Sequence, residues 1–296
     1  MNNETLIRIS RSRKPSWLKV PPPGSGQYLE TRNLIKDLKL HTVCEEAMCP
    51  NIGECWSQKT ATFIIMGEFC TRSCHFCSVA LASPETLKAV DPHEPRRVAQ
   101  AVHKLGLRHA VITSVTRDDL PDGGASHFAE TVREIKKLAP RCSVELLIPD
   151  LKGSREHLEV ILKARINILN HNIETVPRLY IRVRPQAKYL RSLAVLDMAK
   201  QVDKNLSTKS GMMVGLGETY DEVLAVMDDM RSAHVDILTI GQYLRPNASY
   251  LAVERYVTPE EFEQYREVGL KKGFRFVESG PFVRSSYHAW KHASGE

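Results

Sequence analysis

The stretch A-T-F-I-I-M-G-E-F-C-T-R-S-C-H-F-C, residues 61–77, joins an apolar, β-prone run to three closely spaced cysteines. Cys70, Cys74 and Cys77 follow a C-x₃-C-x₂-C spacing, so three thiolates can surround one soft metal centre. A structural zinc site needs four closed ligands, whereas a four-iron cluster held by three cysteines keeps one iron free for a small molecule. The spacing of this cysteine loop (residues 70–77) therefore predicts a cluster with an open iron, and half of a zinc site is the alternative.

A second set of cysteines lies just upstream, in V-C-E-E-A-M-C-P-N-I-G-E-C-W. This upstream cysteine group (residues 44–55) places Cys44, Cys49 and Cys55 in a C-x₄-C-x₅-C spacing. Pro50 and Gly53 predict turns that curl the chain round a compact centre. Six of the seven cysteines thus have metal-like spacings, which argues for a reducing compartment and against a secreted disulfide scaffold. The two cysteine sets could in principle share their thiolates in a two-zinc cluster. This arrangement is disfavoured, because the strand predicted at 61–66 would hold the two sets apart.

Strand and helix patterns alternate from residue 61 onward. Strands are predicted at 61–66, 109–115, 143–149, 168–174, 210–215 and 235–241, and helices at 95–105, 126–138, 155–164, 190–201 and 220–233. Such alternation predicts a parallel sheet with right-handed crossovers. Six units in about 180 residues fall short of the roughly 250 residues of an eight-unit barrel. We expect an α/β fold, an incomplete (β/α)6 TIM-type barrel over 61–245, with an N-terminal extension (1–60) and a C-terminal extension (246–296).

Several helix starts are marked by residue type. Pro95 suits a first helical turn, and Thr219 with Glu222 predicts a capping box. Thr258 with Glu261 predicts a second box, which opens the helix of the C-terminal extension. Outside the barrel the patterns predict a short helix at 30–38 and a last strand at 274–278.

Polar and glycine-rich segments follow the predicted strands, including N-H-N-I-E after the fourth strand and G-L-G-E after the fifth. In parallel α/β folds the carboxyl ends of the strands carry the chemistry, so one rim is expected to hold a binding site. Asn172 and Glu174 suit ribose hydroxyls, or else they are satisfied core groups. Arg182, Arg184 and Arg191 would pair carboxylates at this rim, or else form surface ion pairs.

The net charge of +6 is concentrated in the first twenty residues. The basic arm carries five cationic side chains against the single carboxylate of Glu4: Arg8, Arg11, Arg13, Lys14 and Lys19. Either an acidic partner binds this arm or it is a solvated tail. No apolar run approaches the roughly 20 residues that cross a bilayer, and the N-terminus lacks the apolar segment of a secretory signal. We therefore expect a cytoplasmic protein, with a processed organelle form as the alternative.

Across nearly its whole length the chain resembles the lipoyl synthase family of radical S-adenosylmethionine enzymes. The similar blocks are the two cysteine segments, R-D-D-L-P-D-G-G-A, N-H-N-I-E-T-V-P-R-L-Y, V-R-P-Q-A-x-Y-x-R-S-L, T-K-S-G-M-M-V-G-L-G-E-T, L-T-I-G-Q-Y-L and V-R-S-S-Y-H-A. The upstream cysteine spacing is the specific one, because other radical enzymes share only C-x₃-C-x₂-C. One block departs: residues 247–253 read N-A-S-Y-L-A-V where relatives usually have a His-rich, Pro-containing segment.

The resemblance implies two [4Fe-4S] clusters. Cys70, Cys74 and Cys77 would hold the cluster whose free iron binds S-adenosylmethionine and whose electron yields a 5′-deoxyadenosyl radical. The upstream cysteine group would hold an auxiliary cluster with Ser286, the catalytic candidate, as its fourth ligand. A serinate is a harder iron ligand than a thiolate, which suits a cluster that must release iron.

The resemblance also implies contacts with S-adenosylmethionine. The run Gly211-x-Met213-x-Gly215-x-x-Glu218 is similar to the G-x-I-x-G-x-x-E pattern that lies near adenine. Ser114 and Asp118 occupy positions where these enzymes hold the methionyl amino group. The full cofactor-binding set is Phe76, Ser114, Asp118, Asn172, Glu174, Arg184, Gly215, Glu218 and Gln242.

The implied reaction inserts two sulfur atoms at carbons 6 and 8 of an octanoyl chain linked to a lysine of a lipoyl carrier domain. Two molecules of S-adenosylmethionine would be used per lipoyl group, and the auxiliary cluster would be consumed. The implied partners are the carrier domains of 2-oxoacid dehydrogenase E2 subunits and of glycine cleavage H protein, an electron donor such as ferredoxin or flavodoxin, and an iron–sulfur carrier protein. Neither nucleic acid nor membrane is an expected partner. The alternatives are a biotin-synthase-like or methylthiotransferase-like enzyme and a zinc-binding nucleic-acid module.

Overall fold

The computed structural model describes residues 14–20, 24–57, 61–287 and 289–294. The part before the barrel contains α1 (Gly26–Asp37), β1 (His41–Thr42), α2 (Val43–Glu46) and α3 (Ile52–Ser57). The predicted helix at 30–38 is thus confirmed as α1, and it begins earlier because the Ser25 hydroxyl caps it by accepting from the Tyr28 N–H.

The barrel and the C-terminal extension follow in chain order. Their elements are β2 (Thr62–Ile65), β3 (Phe69–Cys70), β4 (Ala80–Leu81), α4 (Glu94–Leu105), β5 (His109–Ser114), α5 (Ala125–Leu138), β6 (Ser143–Leu147), α6 (Arg155–Leu162), β7 (Ile168–Asn170), α7 (Tyr180–Val183), α8 (Tyr189–Val202), β8 (Ser207–Val214), α9 (Tyr220–Ser232), β9 (Ile237–Gln242), α10 (Pro259–Lys271), β10 (Phe276–Gly280) and α11 (Ala289–Ser294). Short 3₁₀ turns cover Ser16–Leu18, Pro84–Thr86, Leu151–Gly153 and Pro177–Leu179.

One eight-stranded sheet organises the molecule, in the order β1-β2-β5-β6-β7-β8-β9-β10. In the part of the chain that the structure describes, β1 alone pairs antiparallel with its neighbour, and the other ladders of this sheet are parallel. Among the described residues no ladder joins β1 to β10, so the sheet is an open, curled barrel wall. The predicted incomplete barrel is confirmed. The predicted last strand lies at Phe276–Gly280 and lengthens the parallel wall beside β9.

The helices pack against the outside of the strands through apolar faces. In α4 the side chains of Val98, Val102 and Leu105 are buried at helical spacing, and each contributes about 1.5–3 kcal/mol of transfer free energy. Among the inner strands, β5 and β9 are almost uniformly buried, as expected for a parallel sheet covered on both faces. No described helix is long and apolar enough to cross a bilayer.

Two strands end two or more residues before the predicted boundary. The third predicted strand ends at Leu147 rather than at residue 149, because Pro149 has no N–H for the ladder. The fourth ends at Asn170, because four positions separate Asn170 from Glu174 whereas three separate their β8 partners Lys209 and Met212, and this extra residue interrupts the ladder and leaves Glu174 as an isolated bridge. Both strands therefore end before their predicted boundaries, although Glu174 still exchanges backbone hydrogen bonds with Gly211 and Met213 of β8.

The helix caps agree with the sequence in all but one detail. Pro95 lies in the first turn of α4, and Thr219 and Glu222 form the full capping box of α9. Thr258 caps α10 by accepting from the Glu261 N–H, but the Glu261 carboxylate instead binds the guanidinium of Arg255. The predicted second capping box is therefore only half formed, because an ion pair competes for the carboxylate.

Candidate active site

A cavity of about 1050 Å³ opens at the carboxyl ends of the parallel strands. Its walls combine the cysteine loop, the segment 249–252 and residues of five strands of the sheet. The strand-end residues that line it include Thr113, Leu147, Gly211, Met213 and Gln242. Gly211 is required there, because a Cβ would lie 2.5 Å from Thr239 Oγ1 and 2.9 Å from Asn172 Oδ1. The cavity thus lies at the rim that the strand-end pattern predicts.

The cysteine loop forms one wall of this cavity, and Cys70, Cys74 and Cys77 all line it. The Thr71 N–H donates to the Thr116 carbonyl at 3.0 Å, which ties the loop to the end of β5. Burial raises the pKa of Cys74 to about 11 and that of Cys77 to about 12. Near neutral pH these thiols hold their protons until a metal displaces them.

A buried ion network holds the cysteine loop between its first two cysteines. Arg72 is 8 % exposed and donates to both carboxylate oxygens of Asp118, at 2.6 and 2.9 Å, and to Asp150 at 2.8 Å. Arg191 adds a contact with Asp150 at 3.2 Å. Burial alone would raise the pKa of Asp150, yet the hydrogen bond and charge of Arg72 lower it to about 2. The loop is therefore fastened to the ends of β5 and β6.

This network also fixes the side chain of Asp118. Its carboxylate is bound to Arg72, and the residue lines a neighbouring pocket of about 70 Å³ with Arg117 and Lys152. The contact between Asp118 and the methionyl amino group stays a prediction of the resemblance.

Polar groups without partners cluster on the cavity wall. Ser114 Oγ, Asn172 Oδ1 and Arg184 Nε are buried and have no hydrogen-bond partner among the described residues. All three residues line the cavity, as do Phe76 and Glu174. A buried polar atom left unpaired costs about 1–3 kcal/mol, so the wall is suited to a polar ligand. Burial raises the pKa of Glu174, and the nearby Arg184 guanidinium opposes that shift.

The remaining predicted cofactor residues are Gly215 and Glu218, which lie in the turn after β8, and Gln242, which packs against that turn from the end of β9. The Glu218 carboxylate accepts from the N–H groups of Gly215 at 2.6 Å and Leu216 at 2.9 Å. A Cβ on Gly215 would lie 2.2 Å from Gln242 Nε2, and Gly215 has φ 97°. The Gln242 Oε1 accepts from the Val257 N–H at 2.8 Å. Of these three predicted residues only Gln242 lines the cavity.

The upstream cysteine group is built on two short helices. Cys44 lies in α2, which Thr42 caps by accepting from the Glu45 N–H at 3.3 Å, and Cys55 lies in α3. The Cys49 N–H donates to the Cys44 carbonyl at 3.1 Å. Burial and the neighbouring thiols raise the pKa of Cys44 to about 11 and that of Cys55 to about 12. These thiols, like those of the cysteine loop, must lose protons to bind a metal.

The C-terminal segment 282–287, here called the serine tail, lies against the upstream cysteine group. Asn51 Nδ2 donates to the Phe282 carbonyl at 2.8 Å, and the Tyr287 hydroxyl donates to Glu54 at 3.3 Å. Burial raises the pKa of Cys49, and the positive charge of Arg284 opposes this shift. Ser286 therefore lies within a segment whose two ends contact the group.

The two serines of the tail differ in position. Ser285 lines the large cavity, whereas Ser286 is half-buried between Ser285 and Tyr287. Gly241 allows the tail to cross β9, because a Cβ there would lie 2.1 Å from the Val283 carbonyl oxygen. Neither Gly241 nor Asn51 was predicted as a site residue, since the tail's path is not encoded in any local motif.

Two further observations concern metal sites and the basic arm. Within the part of the chain that the structure describes, no three His, Cys, Asp or Glu side chains are grouped closely enough to hold a single metal ion. Arg8, Arg11 and Arg13 lie outside the described residues, while Lys14 lines the large cavity.

Comparison with known proteins connects this geometry to a family. The model of the radical SAM superfamily matches residues 64–230, and that of the N-terminal domain of lipoyl synthase matches residues 2–49. The lipoyl synthase of Rubrobacter xylanophilus is 58 % identical over 279 residues, covering 94 % of this chain and 86 % of the relative. The lipoyl synthase of Roseiflexus sp. is 54 % identical over 287 residues, covering 97 % of this chain and 94 % of the relative.

Solved structures share the fold at low sequence identity. Methylornithine synthase has a TM-score of 0.53 at 14 % identity, over 87 % of this chain and 83 % of that one. Streptococcus suis SuiB bound to S-adenosylmethionine has a TM-score of 0.58 at 10 % identity, over 78 % of this chain and 54 % of that one. With its two cysteine segments, its open parallel wall and relatives of this identity and coverage, the chain belongs to the lipoyl synthase family of the radical SAM superfamily.

Proposed function

We propose that this chain inserts two sulfur atoms at carbons 6 and 8 of an octanoyl group carried on a lysine of a lipoyl carrier domain. The observation that carries the proposal is the approach of the serine tail to both the upstream cysteine group and the large cavity, which the cysteine loop also lines. An enzyme with only the cysteine loop would have no use for this second arrangement. Unactivated C–H bonds yield only to radical chemistry, which a cofactor must supply.

The residues of the cavity fit the first of two proposed clusters. Cys70, Cys74 and Cys77 share one cavity wall, and three thiolates with no fourth protein ligand would leave one iron open. When bound there, the cluster supplies the electron that cleaves S-adenosylmethionine. The unpaired atoms of Ser114 and Asn172 lie on the same cavity wall and suit the polar groups of that molecule.

We extend the proposal to an auxiliary cluster on Cys44, Cys49 and Cys55, with Ser286 as its fourth ligand. The contacts of Asn51 and Glu54 with the serine tail support this set, because they bring the tail to the cysteines. The lack of a site for a single ion among the described residues is compatible with a cluster, in which each thiolate binds a different iron. The auxiliary cluster is the sulfur substrate of the reaction.

The chain's own residues would orient the alkyl chain and limit side reactions. Apolar side chains line the cavity, including Met48, Phe76, Val79 and Leu81. Met48 and Leu81 are 57 % and 56 % exposed, so they offer an apolar surface at the cavity edge. Such a wall would hold an octanoyl chain in place by burial and keep water from a reactive carbon radical.

The proposed partners follow from this reaction. They are octanoylated carrier domains of 2-oxoacid dehydrogenase E2 subunits and glycine cleavage H protein, a ferredoxin or flavodoxin as electron donor, and an iron–sulfur carrier protein that restores the consumed cluster.

Metal analysis of anaerobically purified full-length protein tests the cluster count. Two four-iron clusters require about eight irons and about eight sulfides per chain, and one cluster requires about four. Incubation with an octanoylated carrier, S-adenosylmethionine and a reductant should then give lipoyl product with the loss of one cluster's sulfide. About four irons per chain, or zinc in place of iron, would contradict the proposal.

A further inference from the structure

Below the cavity, the inward side chains of three strands form a buried polar layer. Alternate residues of a strand face the same side, so inward positions recur every second residue. Three strand residues each lie two positions before a residue that lines the cavity. They are Glu145 before Leu147, Asn170 before Asn172, and Lys209 before Gly211. We call these three side chains the floor layer.

The floor layer is held together by an ion pair and a hydrogen bond to Glu145, which His109 Nε2 also approaches at 3.4 Å. Lys209 Nζ lies 3.1 Å from Glu145 Oε1, and Asn170 Nδ2 donates to the same carboxylate at 2.8 Å. All three side chains are fully buried. Burial alone would raise the pKa of Glu145, but the charge of Lys209 lowers it. An ammonium group has three N–H donors, so Lys209 can bind a further acceptor.

The C-terminal helix α11 supplies that acceptor. Lys209 Nζ lies 3.3 Å from His292 Nδ1, and His292 is 3 % exposed. Its ring is 5.6 Å from the ring of Phe276 in β10, and its Nε2 is 3.8 Å from Glu278 Oε1. Because α11 also contacts β5, the helix lies between two strands that are far apart in the open sheet.

This attachment is continuous with the serine tail. The tail ends at Tyr287, and α11 begins at Ala289 and reaches the floor layer at His292. A helix of six residues is not stable by itself, since isolated helices shorter than about 12–15 residues are marginal in water. Tertiary contacts must therefore fix α11, and His292 makes one such contact, which is buried and polar.

We propose that His292 is a positioning residue that anchors α11 on Lys209 and thereby holds the serine tail against the upstream cysteine group. The contact between His292 and Lys209, which supports this anchor, is made in the chain without clusters. Only its consequence, the delivery of Ser286 to an auxiliary cluster, rests on the proposed function.

Hydrogen exchange of the full-length protein without clusters tests the anchor directly. His292→Phe keeps a ring against Phe276 but removes the acceptor, whereas His292→Gln keeps an acceptor for Lys209. His103→Phe is the control, because His103 is an exposed histidine on α4. In His292→Phe we expect peptides covering 282–294 to exchange about tenfold faster, the effect of one lost buried hydrogen bond to a charged group. His292→Gln should restore slow exchange, and strands β5 to β8 should not change in any variant.

The reconstituted variants separate the anchor from the serine ligand. His292→Phe should form deoxyadenosine as the parent does but make about tenfold less lipoyl product, with an altered Mössbauer spectrum of one cluster. Unchanged exchange of the tail in His292→Phe would overturn the anchor, whatever the activity. Fast exchange with an unchanged spectrum and full sulfur insertion would keep the anchor and instead contradict Ser286 as a ligand.

Discussion

The cysteine loop and the upstream cysteine group present the same number of thiols but are held in different ways. The loop follows β2 directly and is fastened to neighbouring strand ends by Arg72, Asp118 and Asp150. The upstream group is completed from far along the chain, since Asn51 and Phe282 are 231 positions apart. The first arrangement is part of the barrel, whereas the second exists only when both ends of the chain meet.

This difference separates the two proposed tasks. A loop fixed by a buried ion network changes little between turnovers, which suits a cluster that must persist. An arrangement closed by a tail that lies outside the barrel wall can open without unfolding the barrel. Such opening suits a cluster that is consumed and rebuilt.

The largest effects are expected from the cysteines themselves. Changing Cys70, Cys74 or Cys77 to Ala should abolish cleavage of S-adenosylmethionine. Changing Cys44, Cys49 or Cys55 to Ala should stop lipoyl formation and leave cleavage intact. Deoxyadenosine and lipoyl product, measured in the same assay, distinguish the two sets. If the second set also lost all cleavage while folding normally, the two groups would not be separate.

Arg72→Met tests the ion network of the cysteine loop. Because Asp150 is fully buried and would keep only the longer of its two arginine contacts, that with Arg191, loss of Arg72 should lower the free energy of unfolding by about 3 kcal/mol. Arg155→Met is the control, since Arg155 and Glu159 form an exposed pair worth no more than about 1 kcal/mol. Denaturant unfolding of the cluster-free proteins measures both. Equal effects of the two substitutions would show that the loop does not depend on this network.

Ser286→Ala should keep nearly normal iron content, because three thiolates remain, but should lower sulfur insertion by about tenfold or more, equivalent to about 1.4 kcal/mol or more. Deoxyadenosine should still form. Ser286→Cys should hold the cluster and release iron poorly, because thiolate is the softer ligand. Ser285→Ala is the matched control on the adjacent residue. If Ser285→Ala lost activity while Ser286→Ala behaved as the parent, Ser285 rather than Ser286 would be the cluster ligand.

Raising the pH should favour cluster loading at both cysteine sets. Burial raises the thiol pKa to about 11 for Cys44 and Cys74 and to about 12 for Cys55 and Cys77, so loading must release protons. Below these values each pH unit raises the binding constant about tenfold per released proton. Reconstitution at limiting iron, followed by cluster absorbance between about pH 7 and about pH 8.5, measures the slope. A flat profile would mean that the thiols are already ionised.

The smallest effect concerns the basic arm. Neutralising Arg8, Arg11, Arg13 and Lys14 should lower the association rate with an acidic carrier domain by up to about tenfold at low salt and little at high salt. Stopped-flow binding at two ionic strengths measures this. A salt dependence equal to that of the parent would leave the arm as a solvated tail.

The sequence predicted the barrel closely because its signals are local. Apolar β-branched runs at 109–115 and 235–241 became β5 and β9 with shifts of two residues or fewer. Boundaries were missed where single residues interrupted a ladder, as where Pro149 has no N–H to donate and where one extra residue lies between Asn170 and Glu174. Side-chain partners were harder to predict. Asp118 and Glu218 carry the right chemistry for a ligand, yet their carboxylates are bound to Arg72 and to the turn after β8.

By itself, the sequence determined the two cysteine spacings, the order of strands and helices, and the family to which the chain belongs. These follow from residue types a few positions apart, where chain connectivity fixes the geometry. Only the tertiary structure decided that Arg72 is held by Asp118 and Asp150, that the serine tail reaches Asn51, and that His292 meets Lys209. Such contacts join residues that are 46 to 231 positions apart, and only the packing of the sheet and its extensions brings them together.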